Sequence, residues 1–92
     1  MIHELRIWPE FFVEIFEGRK TFEVRNNDRN FQPNDVLLLR EFHAGKGHRA
    51  QHYTGREMTV HADYVYKLPL VGNYVGISIS SPVLVADTGA DE

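Results

Sequence analysis

Apolar and polar positions alternate along several stretches of this chain, and a period of two residues marks a half-buried strand. His3, Leu5 and Ile7 alternate with Glu4 and Arg6. Phe22 and Val24 alternate with Thr21, Glu23 and Arg25. Between Glu57 and Tyr66, Met58, Val60, Ala62, Tyr64 and Tyr66 alternate with Thr59, His61, Asp63 and Val65, which predicts the longest strand. Val36-Leu37-Leu38-Leu39 is apolar on both faces, as in a strand covered on both sides or lying inside a barrel, and Arg40-Glu41-Phe42 leads it back toward solvent. Tyr74 to Ile79 is the last expected strand, burying Val75, Ile77 and Ile79.

One stretch has a different period. Trp8, Phe11, Phe12, Ile15 and Phe16 follow the i, i+3, i+4, i+7, i+8 spacing of one helical face, with Pro9 suited to the first helical position and Gly18 to the C-cap. A helix of about nine residues is too short to stand alone and must pack on a sheet, so the aromatic stripe reads as core. Asn26-Asn27-Asp28-Arg29-Asn30 and Gln32-Pro33-Asn34-Asp35 read as turns. Residues 43–52 carry two glycines and three histidines without an apolar period, a hairpin loop that Tyr53-Thr54-Gly55-Arg56 closes. About five strands and one helix between the first two strands predict a mainly β, α+β domain: a small open barrel with the helix packed against it. We assign the domain to 1–81 and a flexible acidic tail to 82–92.

Composition adds limits. Ninety-two residues allow one modest core. The absence of cysteine fits a reducing compartment, and no apolar run reaches the roughly eighteen residues of a membrane span. The N-terminus lacks the basic-then-apolar order of a signal peptide. These features predict a cytoplasmic protein with no membrane partner. The net charge of −3 argues against strong non-specific nucleic-acid binding. The charge is uneven, however. Residues 19–56 carry a balance of +4 and the remainder −7, which is compatible with a basic patch facing an anionic ligand.

The candidate chemistry lies around the second strand. Thr21, Glu23 and Arg25 would project from one face, with Phe22 and Val24 anchored in the core behind them and Lys20 at the strand's entrance. Arg25 offers a planar donor fork for phosphate or a purine edge, Lys20 a point charge, and Glu23 an acceptor for an exocyclic amine. The same spacing suits a solvated Glu23–Arg25 ion pair worth at most about 1 kcal/mol. Asp28 and Arg29 would extend the surface, and Tyr53 and Arg56 would add a stacking platform and a phosphate contact. His43, His48 and His52 lack a fourth ligand, so no metal site is assigned, and no cofactor is expected. There is no glycine-rich phosphate loop and no nucleophile elbow.

Gly-Arg-Lys-Thr-Phe-Glu-Val-Arg-Asn-Asn-Asp-Arg-Asn-Phe over 18–31, followed by Asp35, the apolar strand and Tyr53-Thr54-Gly55-Arg56, resembles the ASCH domains. Within them it looks like the small bacterial and phage branch of uncharacterised proteins. The likeness covers roughly residues 1–80. It implies a pseudouridine-synthase-and-archaeosine-transglycosylase (PUA)-like β-barrel with a cleft between helix and barrel, where Lys20, Glu23 and Arg25 face a ligand. It also implies RNA binding, a fold-level analogy. One ASCH branch hydrolyses N4-acylated cytidine with a lysine matching Lys20 and a threonine nucleophile. Here Glu23 stands at that nucleophile position, and the stretch 67–73 replaces the insertion that carries the branch's catalytic glutamate. The first expectation is therefore an RNA- or nucleotide-binding module. The second is an amidohydrolase on a modified cytidine, with Lys20 and Glu23 as its catalytic pair. A protein-interaction domain with no nucleic-acid role is a third.

Overall fold

The structure is a computed structural model that describes residues 1–69 and 72–87. Strand β1 (Ile2–Ile7) is followed by helix α1 (Pro9–Phe16), then β2 (Phe22–Asn26), β3 (Val36–His43), β4 (His52–Lys67) and β5 (Tyr74–Asp87). The strands form one sheet in the order β1-β3-β4-β5-β2, with β1 parallel to β3 and every other pair antiparallel. The sheet curls into a half-barrel, and β1 and β2 are its two free edges. The mainly β architecture with one helix between the first two strands is therefore as the periodicity predicts.

The core lies inside the curl. Leu5, Ile7, Leu37, Leu39, Met58, Val60, Val75 and Ile77 point inward from the strands, and Phe12 and Ile15 close it from the helix. The helical stripe is only partly core. Trp8, Phe11 and Phe16 stay about two-fifths exposed, because a helix resting on a curved sheet buries a face narrower than the stripe.

The helix ends in a full Schellman motif. Gly18, at φ +82°, donates to the Ile15 carbonyl and Arg19 to that of Glu14. The Lys20 N–H also returns to Glu14, so the chain leaves the helix with Lys20 held at its base. The 32–35 turn forms as predicted: Asp35 N–H donates to the Gln32 carbonyl, with Pro33 in the second place and Asn34 at φ +73° in the third. The Asp35 carboxylate then takes the Met1 amino group, the buried His3 ring and the Gln32 N–H, which fixes the start of β1 beside β3.

Further expectations are corrected. Arg40-Glu41-Phe42 does not lead β3 back toward solvent, since Glu41 and Phe42 are both buried. Phe22 and Val24 are not in the core: they are 54% and 50% exposed, whereas Glu23 between them is 5% exposed. The acid takes the inward face because two cations neutralise it there. The segment 53–56 is not a closing turn but the beginning of β4. Arg40 pairs with Glu57 and Phe42 with Tyr53, so Thr54, Gly55 and Arg56 together face Glu41 in an enlarged bulge, with Gly55 at φ +97°. The last strand does not stop at Ile79 but continues to Asp87 along β4. Pro82 is accommodated because Ser81, at φ +55°, and Pro82 together oppose Val60, and a bulged position needs no donor. Residues 88–92 of the expected tail lie outside the described residues.

Candidate ligand cleft

Lys20, Glu23 and Arg25 converge. Lys20 Nζ donates to Glu23 Oε1 at 2.5 Å and to the Phe22 carbonyl at 2.6 Å. Arg25 Nε donates to Glu23 Oε2 at 2.8 Å. Each carboxylate oxygen thus holds one cation, and the triad is partly buried. The ammonium of Lys20 also lies over two rings, 4.7 Å from the centroid of Phe22 and 5.4 Å from that of Phe11.

This triad forms one wall of a hollow of about 630 Å³ between the base of the helix and the open seam of the sheet. Trp8, Phe11, Phe42, Phe22 and Val24 supply its apolar lining, and Arg6 and Gln51 line it as well. A volume of this size, mostly apolar with a few converging polar groups, is in the range of small-molecule pockets. Donors remain for such a ligand. An ammonium has three N–H bonds, of which Lys20 directs two to protein acceptors, and a guanidinium has five, of which Arg25 uses a part. The described residues lining the hollow include no hydroxyl, thiol or imidazole side chain.

Arg25 of β2 and Arg29 of the turn after it both reach the free edge of β1. Arg25 Nη2 donates to the Arg6 carbonyl at 2.9 Å, and Arg29 Nη1 to the Glu4 carbonyl at 2.6 Å. Both acceptors belong to β1, whose outer edge has no strand partner. A second hollow of about 500 Å³ is lined by Glu4, Leu5, Arg6, Arg25, Arg29 and Tyr53. Tyr53 sits there with Arg40 3.9 Å over its ring and Phe42 edge-on at 5.0 Å.

Other sequence candidates lie elsewhere. Thr21 is exposed ahead of β2, where its carbonyl accepts from Ile79. Asp28 is exposed in the turn after β2. Arg56 packs over Phe12 and makes a two-pronged pair with buried Glu41, at 2.9 and 2.7 Å, beside the Thr54 hydroxyl that donates to the same carboxylate. It lines neither hollow. The His43 and His52 rings stack at 5.3 Å as strand neighbours, and His61 pairs with Asp63.

Sequence reasoning missed Arg6, Trp8, Phe11, Phe42 and Gln51 as cleft residues, and it placed Phe22 and Val24, which also line the hollow, in the core. A signal existed for Trp8 and Phe11: five apolar positions in one short helix exceed what one face can bury. For Arg6 and Phe42 there was none, since only the curl of the sheet brings them beside β2.

Among the described residues, no helix is long and apolar enough to cross a membrane. A curated relative, the "Uncharacterized 12.9 kDa protein in GpA 3'region" of Escherichia phage P2, is 35% identical over 57 residues. That match takes in 62% of this chain and 47% of the relative, so the chain spans about half the length of the curated relative it matches. Residues 2–79 match the family model for a domain of unknown function, DUF3850, and the chain belongs to that family.

Proposed function

We propose that this protein is an RNA- or nucleotide-binding module that takes a base-bearing ligand in the cleft between helix and half-barrel. The observation that carries this reading is the convergence of Lys20, Glu23 and Arg25 on one wall of a hollow whose other walls are aromatic. A planar base stacks on rings such as Trp8 and Phe11, and the remaining N–H groups of Lys20 and Arg25 reach its polar edge or its phosphate. The resemblance of 18–31 and 53–56 to ASCH domains, and through them to PUA-like RNA-binding barrels, points the same way.

The amidohydrolase reading has less support. Glu23 stands where the acylcytidine-hydrolysing branch has its nucleophile, both its oxygens are engaged by cations, and no hydroxyl side chain lines the cleft among the described residues. We therefore read the site as one of recognition. The test is a titration of short single-stranded RNA oligonucleotides and free nucleotides into the wild type and into Lys20→Ala/Arg25→Ala. Wild-type binding should exceed that of the double variant at least tenfold at low salt and weaken as salt rises. Equal binding by the two proteins removes the proposal.

A further inference from the structure

The second hollow bears on what kind of ligand the cleft takes. Arg6 and Arg25 line both hollows, so the two spaces meet along these side chains. The first space is walled by aromatic rings, and the second gathers the guanidinium-bearing side chains of Arg6, Arg25 and Arg29 against a single acid, Glu4. Glu4 is itself taken by Arg40 at 2.7 Å, and Arg40 also holds Glu57. Arg25 and Arg29 are anchored to the β1 carbonyls.

Arg6 differs from these neighbours. Its guanidinium rests 4.7 Å over the Phe42 ring, and among the described residues it has no hydrogen-bonded acceptor and no acidic partner. Stacking on a ring fixes the plane of a guanidinium while leaving its N–H edge available, which is how arginine presents a fork to an oxyanion.

Resting on the binding reading above, we infer that Arg6, with Arg25 and Arg29, forms an anion subsite in the second hollow. It takes the phosphate group attached to the base-bearing unit in the aromatic cleft. The ligand class is then a nucleoside phosphate, its phosphate being either the monoester of a free nucleotide or the diester of an RNA strand. A bare nucleoside fills only half of the site.

Isothermal titration of the full chain with the four nucleosides, their 5′-monophosphates and dinucleoside monophosphates tests this, using the wild type, Arg6→Gln and Arg6→Lys. In the wild type, at least one phosphorylated probe should bind about tenfold or more tighter than its nucleoside, as expected for a charge-assisted contact. Arg6→Gln should reduce that preference to less than about threefold, and Arg6→Lys should keep part of it. Preference for the dinucleoside phosphates assigns the diester, and preference for the monophosphates assigns the monoester. Nucleosides binding as tightly as their phosphates, or a preference unchanged in Arg6→Gln, overturns the subsite and leaves the binding reading standing. No binding by any probe overturns both. Thermal melting of each variant shows whether it is folded before it is titrated.

Discussion

Arg25 donates to the backbone carbonyl of Arg6 at 2.9 Å, joining the two edge strands of the sheet across the seam where the half-barrel fails to close. The same side chain holds Glu23 through Nε at 2.8 Å. Arg25 therefore has two roles, as a clasp between edges and as part of the cleft wall. A strand edge satisfied by a side chain rather than by a neighbouring strand leaves the seam unzipped while blunting edge-to-edge aggregation.

The charge triad also bears on stability. Glu23 lies almost fully buried between Lys20 and Arg25. Glu23→Gln keeps the shape but leaves two partly buried cations side by side, and should destabilise the fold by about 1–3 kcal/mol. Urea denaturation with the slope held in common measures the difference.

The inverted face of β2 makes a sharper contrast. Ile77 pairs with Glu23 in the sheet and is 1% exposed, so Ile77→Ala should cost about 2–5 kcal/mol. Phe22→Ala and Val24→Ala, at half-exposed positions beside the hollow, should each cost about 1 kcal/mol or less. Comparable losses at all three positions would mean that β2 buries the wrong face here.

The apolar alternation at 21–25 revealed a strand with two distinct faces. It could not reveal which face is inside, because a carboxylate flanked by two cations can be buried where an isolated one cannot. The helix, its Schellman end at Gly18 and the 32–35 turn were legible because their signals are local: a stripe, a glycine, a proline. The start of β4 was not, since Gly55 serves a turn and a bulge equally well, and only the pairing with β3 distinguishes them. The extension of β5 past Pro82 was hidden for the same reason. Within the site, the polar wall on 20–25 was legible, and the opposing wall of Arg6, Phe42 and Gln51 was not, because it is assembled by the curl of the sheet.

Asp35 should set part of the acid limb of the stability profile. Burial pushes its carboxyl up, but the N–H of Gln32, the His3 ring and the Met1 amino group together outweigh this and hold it below its ordinary value. A carboxyl lowered in the folded state stabilises fully above its unfolded value of about 3.9, and that contribution is lost as pH falls through the lower folded value. Wild-type stability should fall across this acid range. Asp35→Asn should be less stable at neutral pH and flatter below pH 4, as read by denaturation midpoints from pH 2 to 7.

Gly45 tests the β3–β4 hairpin. It sits at φ +88°, and a methyl group added there would lie 2.7 Å from the Arg49 carbonyl. Gly45→Ala should open the Lys46–Arg49 bridge and lower stability by about 1 kcal/mol. Faster amide exchange confined to residues 43–52 would accompany the loss.

The most direct measurement uses Trp8, the one tryptophan of the chain and a wall of the cleft. Its intrinsic fluorescence is followed as a mixture of nucleotides, and then short single-stranded RNA, is titrated at low salt. A base stacking in the cleft should change the emission saturably, and Lys20→Ala/Arg25→Ala should abolish the change in a folded protein. Emission that stays constant through the titration, or an identical response from the double variant, would contradict a ligand held between the helix and the open seam.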